Sequence, residues 1–189
     1  MALPNLLSNL GVLCWVGYEL LLRRRDDAAA GSWRADTRDQ GSTRLLMACY
    51  LAAVLVNVAF GFASFGQLPS AVRWLGIATL VAGLALRAWG MRTLGRFYTR
   101  TLRTVAEQRV VQEGPYRLIR HPGYCGSLLV WAGASLGLGS WPAALIVAAL
   151  LTAAYTWRIN AEERLLVATL GPAYVEYRRH SKRLVPYLY

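Results

Sequence analysis

The chain is expected to fold as an all-α, polytopic helical membrane protein with about five transmembrane helices, and three observations lead there. It is 56% hydrophobic and only 16% charged, too apolar for an ordinary soluble domain. Its apolar residues gather into five separate runs, each close to the length that crosses a bilayer core about 30 Å thick. Its 21 basic residues fall almost entirely between alternate runs. Under the positive-inside rule that alternation puts the N-terminus outside and the C-terminus in the cytoplasm, in the plasma membrane of a bacterium or an archaeon. The net charge of +11 thus reports topology and contact with anionic membrane lipid, and nucleic acid is not an expected partner.

The first span is read as Leu3 to Leu22. A cleaved signal peptide would carry its positive charge before the apolar run, whereas Arg23, Arg24 and Arg25 follow it. Residues Arg23 to Arg44 are polar with little periodic apolar character and read as a linker or surface flap. The second span covers Leu45 to Phe62 and the third Val72 to Leu94; the short Ser64–Ser70 connection predicts that they are antiparallel neighbours. Arg87 lies inside the third span, where it either snorkels to the interface or binds an anionic group. From Gly95 to His121 the alternation of Thr with basic residues suggests an extended or hairpin-like segment over the membrane surface. The fourth span, Tyr124 to Gly139, is short, and the Ser140-Trp141-Pro142 turn joins it to a fifth, Ala143 to Trp157, with Trp141 and Trp157 as interfacial anchors. Beyond it, Gly171-Pro172 breaks the chain before a short helix carrying Tyr174, Tyr177 and Arg178-Arg179, placed to cap a pocket from below.

Cys14, Cys49 and Cys125 lie in or at the edge of separate apolar runs and form no C-x-x-C pair, so neither a disulfide framework nor a metal site is expected. Two other stretches concentrate polar groups. In Gly114-Pro-Tyr-Arg-Leu-Ile-Arg-His-Pro-Gly-Tyr-Cys-Gly126 the two prolines bias Gly114 and His121 away from helix, giving a shaped loop that runs into the N-terminus of the fourth span. Free N–H groups there favour a carboxylate or phosphate; alternatively Arg117 and Arg120 anchor on lipid headgroups. In the second stretch, Arg158 and Glu162 share a helical face while Glu163 points about 100° away. A solvated helix end with a surface ion pair would look the same. Hairpin geometry brings His121 and Tyr124 near Glu162 and Glu163, an arrangement suited to a ligand with a negative and a positive end. Gly137-Leu138-Gly139 follows no strand and is no dinucleotide loop; Gly133-x-x-x-Gly137 is a close-packing signature for spans four and five or for a dimer. His180 reads as a surface residue.

Together, Gly114 to Gly126, Glu162-Glu163-x-x-Leu, Gly171-x-x-Tyr174-x-x-Tyr177 and Val185-Pro186 resemble the isoprenylcysteine carboxyl methyltransferase and phospholipid methyltransferase superfamily over roughly Leu94 to Pro186. The resemblance implies an integral membrane enzyme that uses S-adenosylmethionine to methylate a carboxylate or amine on a lipid or prenylated molecule. It implies a division into residues 1–94, three helices with the loop 23–44, and residues 95–189, the cofactor-binding core built from the last two spans and the cytoplasmic segments. Gly114, Tyr116, Leu118, His121, Pro122, Tyr124 and Gly126 would bind the cofactor together with Glu162 and Glu163, while Arg158 and Glu162 would face the reacting groups. Gln108 stands where the family often has a basic residue. Two other functions are open to the same chain: an NADPH-dependent membrane reductase, with Arg100 or Arg103 for a 2′-phosphate, and a transporter or sensor with Arg87, Glu19 and Asn57 along its path.

Overall fold

A computed structural model describes residues 3–30, 41–63, 65–97 and 109–185. Six α-helices occur among the described residues: α1 (Leu3–Ala30), α2 (Ser42–Ala63), α3 (Ser70–Leu94), α4 (Pro122–Leu138), α5 (Trp141–Leu170) and α6 (Pro172–His180), with 3-10 turns at Gly95–Phe97 and Gly114–Arg117. The helical membrane architecture expected from the sequence is present. Four helices, α1, α2, α3 and α5, are long and apolar enough to cross a bilayer. Exposed leucines, such as Leu13, Leu51, Leu75 and Leu145, line their outer faces.

The fifth apolar helix, α4, has 17 residues, about 26 Å at 1.5 Å per residue and therefore short of a full core. It tolerates that length because it hardly faces lipid: Val130 and Ala134 are fully buried, and α4 packs against α3, α5, α1 and α2. Its seam with α3 is backbone against backbone. A Cβ on Gly83 would stand 2.6 Å from the Gly126 carbonyl oxygen and 2.7 Å from the Val130 amide. One on Gly133 would stand 2.6 Å from the Gly76 carbonyl oxygen. Of the small residues read as a signature for the α4–α5 pair or a dimer, Gly133 serves α3 and Gly137 serves α1 and α3, not α5. Close approach of this kind replaces the hydrophobic driving force that lipid cannot supply.

Three further expectations are corrected. Residues 23–30, read as the start of a polar linker, continue α1. α2 and α3 are joined by a short connection yet are not packed partners; α2 lies on α5. The connection is occupied elsewhere, since the Leu68 amide donates to the Gly139 carbonyl at 2.9 Å and the Trp141 amide to the Gly66 carbonyl at 3.2 Å, tying it to the α4–α5 turn. Finally, the helix carrying the fifth span, read as Ala143 to Trp157, is far longer than that span: α5 runs 30 residues, about 45 Å, longer than a bilayer core is thick. The break at Gly171, φ 56°, and the short helix starting at Pro172 are where the sequence put them. The Thr-rich stretch, Gln108 and Pro186 lie outside the described residues.

At the end of the bundle that carries residues 114–126, here the motif end, the chain following α6 returns alongside the motif. The Arg120 amide donates to the Lys182 carbonyl at 2.7 Å, His121 to Arg183 at 3.1 Å, and Lys182 to Leu118 at 3.0 Å. This pairing fixes the loop against α6. It also engages the His121 amide, while the Tyr124 and Cys125 amides donate to the His121 carbonyl, so these three donors are not offered to an anion.

Candidate active site

Each polar side chain of the site is set by an element already placed. Pro122 occupies the first turn of α4, and Tyr124 follows it, so the phenol points across the hairpin to α5. There it donates to Glu162 Oε2 at 2.7 Å and accepts from Arg158 Nε at 3.2 Å. Arg158, 3% exposed, also donates through Nη1 to Ser42 Oγ at 2.8 Å and Thr43 Oγ1 at 2.9 Å at the start of α2. An unbroken chain of hydrogen bonds therefore links α2, α5 and α4.

Glu163, one residue on and 100° round the helix, has a different environment. Arg120 Nε reaches it at 2.8 Å, His121 Nε2 at 3.3 Å, Arg183 at 3.2 Å and Arg178 at 3.7 Å, and its side chain is 4% exposed. The Arg120 guanidinium also donates to the Ser181 carbonyl. Glu163 thus fastens the motif loop and the chain after α6 to α5.

These elements enclose a chamber of about 410 Å³. At the motif end its wall carries Tyr116, His121, Tyr124, Arg158 and Glu162, with Tyr174 and Tyr177 of α6 as the lower cap. The Tyr177 hydroxyl donates to the Tyr116 carbonyl at 2.7 Å. Burial, ahead of every charge nearby, raises the Tyr116 and Tyr174 phenols well above their usual range and pushes Tyr177 up to about 12, so all three stay neutral donors. Further in, an aromatic column follows: His121 stacks on Tyr124 at 5.7 Å, Tyr124 on Tyr155 at 5.0 Å, and the Tyr50 and Tyr155 hydroxyls meet at 2.6 Å. Trp15 and Trp131 close the column.

The rest of the lining is mostly apolar, with the Glu19–Arg87 pair and Arg109 as its charged members, and it reaches the outer surface of the bundle. Leu20 of α1 and Met47 and Leu51 of α2 line it and are themselves 52%, 51% and 62% exposed. α1 packs on α4 and α3 and α2 on α5, and α1 meets α2 through the Trp15–Tyr50 ring contact at 4.8 Å. Beside that contact, the exposed Leu20, Met47 and Leu51 mark an opening of the chamber at the α1–α2 side of the bundle.

Of the residues singled out from sequence, Tyr116, Arg120, His121, Tyr124, Arg158 and Glu162 line this one space, and so do Glu19 and Arg87. Gly114, at φ 55°, shapes the turn; Leu118 is 53% exposed with its carbonyl bonded to Lys182; Pro122 is buried as the first α4 residue; Gly126 sits in the α3 seam. Arg87 neither snorkels nor faces solvent. It is 5% exposed, paired with Glu19 of α1, and donates to the Gly123 carbonyl at 2.8 Å. Asn57 bonds its own helix, at Ala53. His180 is on the surface as expected, paired with Glu176 at 2.7 Å. Sequence reading gave no hint of Ser42, Thr43, Tyr50 or Trp15, whose partners are more than 100 residues distant. The one signal available was for Glu19, the single acidic residue of the first apolar run.

The fold and the chamber define a polytopic helical membrane protein with a chamber walled by the motif loop, α5 and the N-terminal helices. The isoprenylcysteine carboxyl methyltransferase family matches residues 74–168, and the chain belongs to that family of S-adenosylmethionine-dependent membrane methyltransferases. It is 29% identical over 154 residues to protein-S-isoprenylcysteine O-methyltransferase B of Arabidopsis thaliana, covering 78% of each chain. Form A of the same plant is 30% identical over 115 residues, 60% of this chain and 58% of that one. The solved structure of the eukaryotic intramembrane Ras methyltransferase ICMT shares the fold, with a TM-score of 0.59 at 18% identity over 75% of this chain and 52% of that one. The chain thus spans under two thirds of the length of two of these relatives.

Proposed function

We propose that the chamber binds S-adenosylmethionine at its motif end and a lipophilic acceptor at its apolar end, and that the protein transfers a methyl group between them. The observation that carries this is the chamber's polarity: one continuous space has a carboxylate, a guanidinium and phenols at one end and a lipid-facing apolar mouth at the other. The residues suit such a cofactor. Glu162 offers a carboxylate to its amino or ribose donors, Tyr116, His121 and Tyr124 offer aromatic faces to the adenine or the sulfonium, and Arg158 offers a cation near the reacting groups. When bound, S-adenosylmethionine supplies the electrophilic methyl group.

The protein's own part is then positioning and exclusion of water. The Ser42–Arg158–Tyr124–Glu162 chain holds its polar groups in fixed rotamers. The aromatic column dries the space behind them. A carboxylate acceptor needs no base, because its charge is neutralised as the bond forms, and dryness favours that step. An amine acceptor must lose a proton, and Glu162 is the base within reach. The names of the relatives favour the first case, a prenylated cysteine carboxylate. The alternation of basic residues supports a cytoplasmic motif end.

Titration calorimetry of the folded protein in detergent should detect S-adenosylmethionine binding, and NADPH should not compete. No binding to protein shown to be folded refutes the proposal. Labelled methyl donor with a lipid extract then identifies the acceptor.

A further inference from the structure

Behind the chamber, on the far side of Glu163, lies a second cleft of about 290 Å³, lined by Asn160, Glu163, Arg164, Val167, Arg178 and Arg183. Its charge is three guanidiniums to one carboxylate, and that carboxylate is itself held by Arg120 from the chamber side at 2.8 Å. The Arg178 side chain remains 40% exposed. The cleft therefore presents net positive charge, fitted to an oxyanion.

Its position on α5 indicates the source of that oxyanion. Ile146, Ala153, Trp157, Asn160, Arg164 and Val167 succeed one another at steps of three, four or seven residues and so form one stripe along the helix. The upper part is apolar and lipid-facing, with Ile146 43% exposed. Trp157, 53% exposed, marks the interface at the level where an aromatic belt sits. The next turns supply Asn160 and Arg164. A stripe that passes from hydrocarbon through an interfacial Trp to clustered arginines follows the profile of one phospholipid, acyl chain above and phosphate below. A soluble phosphate would use only the lower half.

We infer that this cleft is a binding site for the phosphate of an anionic phospholipid in the leaflet at the motif end. Occupancy bears on the chamber through a short path. Arg178 and Arg183 both engage Glu163, and Glu163 holds Arg120 and His121 of the motif loop. The headgroup screens the mutual repulsion of the arginines around that one carboxylate, and so steadies the pairing of residues 118–121 with 182–183.

The test uses the full chain in bilayers of mixed phosphatidylcholine and phosphatidylglycerol, with native mass spectrometry reading which lipid stays bound. Phosphatidylglycerol should be retained in preference. The Arg164→Gln/Arg178→Gln pair should cut that preference about thirtyfold, two basic residues at about 1 kcal/mol each. Arg164→Lys/Arg178→Lys should retain most of it. If the Gln pair does not fold, Arg164→Gln alone, an exposed position, should give a partial loss. Equal retention of both lipids by the wild type overturns the site, as does a preference undiminished by the Gln variants. A thermal midpoint raised as much by inorganic phosphate as by phosphatidylglycerol would show a soluble-anion site and overturn the lipid assignment.

Discussion

Glu162 and Glu163 are adjacent in sequence, and their replacement by Gln should have opposite consequences. Glu163 is a nearly inaccessible carboxylate in contact with three guanidiniums. Removing its charge leaves those cations facing one another, and breaking a buried pair from one side costs about 3–5 kcal/mol. For a chain of this size each kcal/mol lowers the thermal midpoint by about 2–4 °C, so Glu163→Gln should lose at least about 6 °C. Glu162 is half-buried and, among the described residues, makes one hydrogen bond, from Tyr124, which the Gln carbonyl oxygen still accepts. Glu162→Gln should therefore melt with the wild type. On the proposed role of Glu162, what it should lose is a charge-assisted contact to the cofactor, about 1.5–3 kcal/mol, or roughly a 10- to 150-fold weaker affinity for S-adenosylmethionine. Dye-monitored unfolding and titration calorimetry, run on both variants in one detergent, separate the two effects. A Glu163→Gln protein that melts normally, or a Glu162→Gln protein that binds the cofactor normally, would refute this division of roles.

Three further outcomes are expected. Gly83→Ala should destabilise the bundle by about 1–3 kcal/mol or more, because the new methyl meets backbone atoms that cannot turn aside, while Gly17→Ala, with nothing within 4 Å, should be neutral or slightly stabilising in the same melt. Raising the pH should leave the fold intact up to about 10 and then erode it toward 12: the phenols of Tyr116, Tyr174 and Tyr177 are held protonated in the folded state and titrate near 10 once unfolded, so their contribution is complete below the unfolded value and is lost above it. Absorbance of tyrosinate should show these groups lagging behind free tyrosine. Leu51→Trp at the mouth between α1 and α2 should raise KM for a lipophilic acceptor several-fold without changing calorimetric cofactor affinity; an unchanged KM would place the entry elsewhere.

Which parts of this arrangement were legible in the sequence follows from how local their causes are. The helices, the Gly171 break and the meeting of Tyr124 with Glu162 follow from apolar run length, proline and glycine chemistry and the short α4–α5 turn. Those features act within a few tens of residues. The partnership of α2 with α5 rather than α3 is not local, because a short connection limits only how far two helix ends can part, not which faces meet. The α3–α4 seam was half legible. Gly133 and Gly137 announced close packing, but Gly76, which receives both, lies far earlier in the chain, in α3. Arg87 and Glu19 likewise became a pair only once α1 and α3 were laid together. That the two glutamates face different surroundings was implied by their 100° offset, whereas Arg183 as a partner of Glu163 depended on the return of the chain after α6.

The hydrogen-bond chain from Ser42 and Thr43 through Arg158 and Tyr124 to Glu162 ties α2 to α5 and α4 at the motif end of the chamber. Its first members stand at the start of α2, the helix that lines the apolar mouth, and its last is the carboxylate assigned to the cofactor. On that assignment, α2 cannot shift to admit an acceptor without moving the contacts of the Arg158 guanidinium. A two-hydroxyl anchor on α2 and a phenol on α4 restrain that guanidinium from opposite sides, which restricts it to a narrow range of positions.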